Sequence, residues 1–289
     1  MAVIEAVDLD VRRVSGALGA EVRGLSLASL SDAEFALVQE LLDEHLVLFF
    51  PDQHLAPDEH RAFAVRFGEP EIHPYIPKLD DDHPEIVVLR GESGSGYVAD
   101  VWHTDCTFEQ SPPICSVLNA MVMPPVGGDT MWSNMYKAYE ALAEPMKQMV
   151  NGLTAIHSAA TYGQPDHKAE HPVVRRHPRT GRPSLFVNKQ FTRRIPQLSR
   201  DESESLLDML TAHACKTDFT CRYSWSEGTI GVWDNRATQH FVVNDFDGRR
   251  AISRVTILGD TPEPAFDTTQ WGNYEYQRLS AAAHGLDRD

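Results

Sequence analysis

The feature that most constrains the fold is a succession of short apolar runs, each of strand length and each closed by glycine, proline or polar turn residues. Residues 219–225, 229–233, 240–243 and 251–258 follow one another in this way, after earlier runs at 46–50, 86–89 and 115–122. A strand at residues 7–11 and a turn plus strand over 16–24 are expected ahead of them. Runs this short cannot bury an apolar face alone and must pair and stack. Many short strands with Gly/Pro turns predict a mostly β fold with peripheral helices, as a barrel or jelly roll.

Helix signals are few and sharp. Ser31 with Glu34 forms a capping box ahead of Phe35, Val38, Leu41 and Leu42, which recur at helical spacing. Pro57 suits the first turn of a second helix carrying Phe63 and Phe67. Short helical segments are expected over residues 134–142 and 145–149, and Ser199 with Glu202 opens a helix running to about residue 214. Residues 164–181 are polar, with two His-Pro steps, and read as a long irregular excursion. Residues 91–96 hold three glycines and two serines and mark a mobile loop, either an active-site lid or a plain surface loop. No linker or repeat divides the chain, so one domain over residues 1–289 is expected, with a long inserted segment around 160–200.

Lys plus Arg is 26 and Asp plus Glu is 42, a formal net charge of -16. That balance argues against a nucleic-acid partner or an anionic membrane surface. The four cysteines, Cys106, Cys115, Cys215 and Cys221, show neither a CxxC pair nor zinc-ribbon spacing. The first residues lack the basic segment and apolar run of a signal peptide, and no run of 18 apolar residues could span a membrane. A cytoplasmic location is expected.

Three groups of residues can carry chemistry. The stretch 101–108 reads as a strand edge, on which a period of two places His103 and Asp105 on one face. An imidazole and a carboxylate there could converge on one ion, or form an ordinary hydrogen-bonded pair. A third ligand would come from His73, His157, His171, His177, His213 or His240. His171 and His177 precede proline in a polar segment, where exposure is expected; His213 closes a helix and suits its C-terminus. His240 follows a turn and opens an apolar run, which fits a ligand or a structural role. A 2-His-1-carboxylate set leaves metal positions open for oxygen and a co-substrate. On the last strand Arg250, Ile252, Arg254 and Thr256 share a face. These two arginines imply anions bound inside, since guanidinium matches a carboxylate or sulfonate bidentately, or they pair with surface acids. By composition alone Trp102, Phe108, Phe191 and Trp233 are core aromatics.

Taken in order, these motifs resemble the taurine dioxygenase-like family of Fe(II)- and 2-oxoglutarate-dependent oxygenases over nearly the whole chain. The resemblance rests on Trp102-His103-Thr104-Asp105 with Thr107-Phe108, and on Gly127-Gly128-Asp129-Thr130. It continues through Trp233-Asp234-Asn235-Arg236 to Gln239-His240 and then Arg249-Arg250 to Arg254. It implies a double-stranded β-helix of the cupin-like type, with iron on His103, Asp105 and His240. Thr130 and Arg250 would hold the distal carboxylate of 2-oxoglutarate, and Arg254 would sit near the metal, facing the substrate's anionic group or the co-substrate's proximal end. His73, Phe108 and Phe191 would complete the substrate pocket. The implied reaction consumes O2 and 2-oxoglutarate, yields succinate and CO2, and hydroxylates a substrate carbon. A homodimer or homotetramer is implied as well.

The substrate implied is a small organic anion: a sulfonate, a sulfate ester or an aryloxy carboxylate. The alternative is strict taurine specificity. Against it, Ala99 stands where taurine specialists place a substrate-binding asparagine, residues 158–163 depart from their pattern, and Tyr75 sits one place early. A non-catalytic metal-binding cupin-like protein is a further alternative. A metal-dependent hydrolase would carry HExxH, which is absent.

Overall fold

The computed structural model describes residues 9–92 and 99–275. Part of the strand expected at 7–11 and most of the loop at 91–96 lie outside the described residues. The chain opens with an antiparallel hairpin of β1 (Asp10–Arg13) and β2 (Ala20–Arg23). Helix α1 (Asp32–His45) starts on the expected capping box, in which the Glu34 carboxylate accepts from Ser31 N–H at 2.7 Å. Next come β3 (Val47–Phe50), α2 (Pro57–Ala64) and β4 (Ile86–Glu92). After these lie β5 (Cys115–Val122), β6 (Thr130–Asn134), α3 (Met135–Glu140) and α4 (Glu144–Val150). The segment that follows contains β7 (Thr154–Ala159), β8 (Gln164–Pro172), β9 (Val174–Arg176), β10 (Pro183–Leu185) and β11 (Thr192–Arg194). Helix α5 (Arg200–Ala214) uses the second capping box, Ser199 with Glu202. Four strands complete the description: β12 (Thr220–Tyr223), β13 (Ile230–Asp234), β14 (Thr238–Val242) and β15 (Arg249–Ile257).

Seven strands form one sheet in the order β1-β2-β3-β13-β5-β15-β4, antiparallel except for β2 with β3. Side chains alternate across it with a period of two. Leu48, Phe50, Val117, Val232, Val255 and Ile257 face a core shared with Phe35, Val38 and Leu42 of α1 and Phe63 of α2. The alternate residues Val47, Phe49, Leu118, Trp233 and Ile252 face a second core, closed by Trp132 of β6 and Tyr223 of β12. Phe49 stacks on Tyr223 at 3.7 Å between centroids and meets Trp132 edge-on at 5.2 Å. A sheet buried on both faces needs apolar residues at every position. That is why residues 47–50 show no polar alternation. The layer across the second core is a three-stranded sheet, β12-β6-β14. The fold is therefore mostly β with peripheral helices, as expected.

One expectation is corrected. Residues 164–181 are not an irregular excursion, because β8 pairs with β7 in the sheet β11-β7-β8 and β9 pairs with β10. Their polarity misled because β8 is an edge strand whose first residues face solvent, where polar side chains discourage further pairing. His171 and His177 are likewise buried, contrary to expectation. His171 Nε2 meets the carbonyls of Thr107 and Glu109 at 3.0 and 2.9 Å, and His177 Nε2 lies 3.0 Å from Asp234 Oδ2. Each ring satisfies acceptors that burial would otherwise strand. Among the described residues no helix is long and apolar enough to cross a membrane.

The buried ring of His60 on α2 ties this helix to the large sheet. Its Nε2–H donates to Val117 O at 3.0 Å, and Ser253 Oγ lies 3.4 Å from Nδ1. Burial pushes its pKa down to about 4, against a weaker opposing pull from the Val117 carbonyl. The unfolded chain then takes up a proton near pH 6.5 that the folded chain refuses until about 4, so stability is lost as pH falls through this window. Melting temperature measured from pH 7 to 4.5 should drop, and His60→Gln should make that drop shallower.

Candidate metal centre

Two reciprocal main-chain hydrogen bonds build the site. His103 N–H donates to His240 O at 3.0 Å, and His240 N–H donates to His103 O at 2.7 Å. Directly opposed residues in an antiparallel pair share a face, and the two imidazole centroids lie 4.0 Å apart. The expected strand edge over 101–108 is corrected at this point. Only His103 bridges, and the chain turns over residues 105–108 with Cys106 at φ 44°. Backbone in this left-handed region is costly for a residue with a Cβ and is kept where surrounding bonds demand it. The Thr104 hydroxyl supplies one such bond, donating to Thr238 O at 2.8 Å. Asp105 stands at the start of this turn, two residues after His103.

Asp105 Oδ1 stands 3.9 Å from His103 Nε2 and 3.8 Å from His240 Nε2. One ligand atom from each of the three residues lies within 4.8 Å of the others, and all three residues are buried. The other carboxylate oxygen, Oδ2, accepts from Ser116 Oγ at 2.7 Å and from Asn235 Nδ2 at 3.4 Å. Trp233 Nε1 in turn holds Asn235 Oδ1 at 2.9 Å. His103 Nδ1–H donates to Val101 O at 2.7 Å, which leaves the Nε2 lone pair facing the centre.

Burial pushes both imidazoles down, so they are neutral donors. Burial would push the Asp105 carboxyl up, but the Arg254 guanidinium, then the two imidazoles and the Ser116 hydroxyl, outweigh it. The carboxyl lies well below the usual carboxylate range. Two neutral imidazoles and one ionised carboxylate converging on one point are the 2-His-1-carboxylate facial triad, the donor set of non-haem Fe(II) oxygenases.

Both arginines of β15 point to this side. Arg254 NH1 donates to Asp105 Oδ1 at 2.6 Å, and its Nε is buried without an acceptor among the described residues. Arg250 Nε donates to Gly128 O at 3.0 Å, and its NH2 lies 3.5 Å from Thr130 Oγ1. The approach depends on the Gly127-Gly128 turn, with φ of 79° and 70°. A Cβ on Gly128 would lie 3.1 Å from Arg250 Cδ, and one on Gly127 would lie 2.6 Å from Asp245 O. Trp225 Nε1 donates to Thr130 Oγ1 at 2.9 Å, so the threonine proton is free to be given elsewhere.

A cavity of about 380 Å³ opens beside the triad, with His103, Asp105 and Arg254 at its edge. Tyr75 and Tyr162 stack at 5.2 Å on one wall, and Leu89, Ala99 and Gln190 line others. Phe108 and Phe191 form the layer behind, meeting each other at 5.2 Å, with Phe191 6.2 Å from the His103 ring. His73 stands deeper than expected. Its Nδ1 accepts from the N–H groups of Tyr75 and Ile76, both at 3.1 Å, and its Nε2 lies 3.4 Å from Cys106 Sγ. Burial, reinforced by Arg254, brings its pKa down to about 4, so it offers a neutral N–H and no positive charge. Sequence reasoning missed Ser116, Asn235, Trp225, Tyr162 and Gln190. Ser116 alone left a trace, as a hydroxyl inside the apolar run 115–122.

The fold and this donor set define a non-haem iron oxygenase, and comparison with known proteins places it further. Residues 10–256 match the family described as "Taurine catabolism dioxygenase TauD, TfdA family". An alkylsulfatase of Acinetobacter baylyi is 36% identical over 275 residues, 87% of this chain and 86% of that protein. An alpha-ketoglutarate-dependent sulfate ester dioxygenase of Pseudomonas putida is 36% identical over 280 residues, 89% and 92% of the two chains. The crystal structure of a taurine dioxygenase from Burkholderia xenovorans superposes with a TM-score of 0.79 at 37% identity, covering 88% of this chain and 92% of that one. The chain belongs to the TauD, TfdA family. It is an Fe(II)- and 2-oxoglutarate-dependent dioxygenase, with His103, Asp105 and His240 as its facial triad.

Hydrogen bonds that orient a ligating carboxylate typically contribute 10–100-fold to metal affinity. Ser116→Ala should therefore weaken Fe(II) binding by about 10–100-fold in an anaerobic titration, with little change in secondary structure by circular dichroism.

Proposed function

We propose that this dioxygenase hydroxylates a small organic anion with an apolar tail: a sulfate ester, a sulfonate or an aryloxy carboxylate. The carrying observation is one buried guanidinium, Arg254, at the triad end of a cavity whose walls are otherwise mainly apolar and aromatic. Its unused Nε–H is a ready donor to an anionic oxygen, and a charge-assisted bond of this kind contributes about 1.5–3 kcal/mol. Ala99 on the wall offers no polar group of its own to an amine, which supports an apolar tail at that point. The stacked Tyr75 and Tyr162 favour a flat or extended hydrocarbon body.

His103, Asp105 and His240 would hold the iron. Arg250 would grip the distal carboxylate of 2-oxoglutarate, and the Thr130 hydroxyl, turned by Trp225, would donate to the same group. When bound, Fe(II) with 2-oxoglutarate and O2 supplies the oxidation, releasing succinate and CO2. The chain's own residues bind and aim. Arg254 fixes the substrate anion, Tyr75 and Tyr162 clamp its body, and Phe108 with Phe191 keeps water from the layer behind. On a sulfate ester, a hydroxyl placed on the carbon bearing the ester oxygen gives an unstable product that collapses to aldehyde and sulfate. The two facing sheets are consistent with a double-stranded β-helix in a single domain over the whole chain.

Two variants separate the assignments. Arg250→Ala should raise the 2-oxoglutarate concentration for half-maximal succinate formation about ten- to a hundredfold, with iron binding retained. Arg254→Ala should leave 2-oxoglutarate binding intact, seen as the anaerobic Fe(II)–2-oxoglutarate absorption band, while organic anions no longer perturb that band. A band unchanged by every sulfate ester, sulfonate and aryloxy acid tried on the wild type would refute the substrate class.

A further inference from the structure

Gln190 is buried, with 5% of its surface exposed, and lines the cavity beside the triad. Its main chain is fixed on both sides. N–H donates to Trp102 O at 3.3 Å, and the carbonyl accepts from Thr161 Oγ1 at 3.1 Å and Arg193 NH2 at 2.6 Å. Its side chain is held by no described residue. Oε1 is shut away from solvent without a donor among the described residues, while the Nε2 end is not shut away and makes no hydrogen bond to a described residue. Gln190 lines the cavity, so this N–H is open to an acceptor on what enters it.

The position of this amide narrows what that is. Trp102, which anchors its backbone, immediately precedes the ligand His103, and the next residue, Phe191, has its ring 6.2 Å from that of His103. Gln190 therefore lines the same cavity as the ligands His103 and Asp105, the cavity that the carbon to be hydroxylated must enter. In sulfate esters and aryloxy acids the atom bonded to that carbon is an ester or ether oxygen; in alkanesulfonates it is carbon or sulfur. An N–H facing the bound anion is favourable there, whereas a carbonyl oxygen would repel it.

We propose that Gln190 is a specificity-determining residue, whose Nε2–H donates to the ester or ether oxygen of the substrate and so selects oxygen-bridged anions over sulfonates. The assignment rests on the substrate class proposed above. Sites built to hydrogen-bond a substrate group discriminate against analogues lacking it because their own polar atoms are then left unpaired.

The test uses matched pairs that differ by one atom: an alkyl sulfate with the alkanesulfonate in which CH2 replaces the ester oxygen, and an aryloxyacetate with the 3-arylpropionate. Dissociation constants are read anaerobically from the perturbation of the Fe(II)–2-oxoglutarate band, so differences in C–H reactivity do not enter. Wild type should bind the oxygen member of each pair about tenfold tighter. Gln190→Met, similar in shape but without the donor, should bring each pair to within about twofold by weakening only the oxygen member. Gln190→Glu, which keeps length and polarity, should also lose the preference. Equal binding within pairs by wild type, or a preference that survives in both variants, overturns the assignment of Gln190 while leaving the substrate class standing. Failure of every anion to perturb the band overturns both.

Discussion

Two backbone hydrogen bonds between His103 and His240 hold the functional half of the molecule together. They join the segment between β4 and β5 to β14 near the end of the chain, and they fix the main chain of both histidines before any metal is considered. Their neighbours inherit the same placement. Thr104 bonds the carbonyl of Thr238 on β14, Trp102 accepts from Gln190, and Val242 N–H donates to Ala99 O. The triad and two walls of the cavity thus hang on one short seam. Loosening it would displace ligands and cavity together.

Charge is settled around this seam with equal economy. Asp105 is an anion 3% exposed, a state that needs compensation from close by. Arg254 supplies it from β15, and Ser116 and Asn235 satisfy the second oxygen from β5 and the turn after β13. Removing one member of such a buried pair generally costs about 3–5 kcal/mol, because the other is left uncompensated. A second buried carboxylate, Asp234, steadies the turn that leads into His240. Arg236 grips it through Nε at 3.0 Å and NH2 at 2.6 Å, and His177 meets it at 3.0 Å. Burial works against the Asp234 charge, but Arg236 and His177 hold its carboxyl well below the usual range.

Much of this was legible in the sequence, for identifiable reasons. Capping boxes at Ser31 and Ser199 are local patterns and are realised as read. The strands at 115–122 and 251–258 are marked by runs rich in apolar residues, broken by Ser116 and Asn119 in the first and by Ser253, Arg254 and Thr256 in the second. Residues 164–176 were misread because an edge strand answers to solvent and carries no apolar periodicity. His171 and His177 were misread for a related reason: adjacent prolines suggest a loop, yet what buries these rings is acceptors on distant segments. The three ligands are legible only as a set, since His-x-Asp alone is a common pair and His240 is brought to it by a long-range main-chain pairing that no local pattern announces. Ser116 and Asn235 reach Asp105 from segments remote in sequence, so their bonds to the ligand have no local signal.

The spacing of Arg250 and Arg254 ties function to register. They share a face of β15 with Ile252, while Val255 and Ile257 face the helices on the other side. A slip of one residue would turn both guanidinium groups into the helix-covered core and the aliphatic side chains toward the metal, since strand faces alternate at every step. The ladder with β5 shifts between Ala251 and Ile252, midway between the two arginines. An irregularity of this kind pins register and increases twist locally. The two guanidinium groups thus stand at different levels of the same inner face, at a separation set by the strand's own geometry.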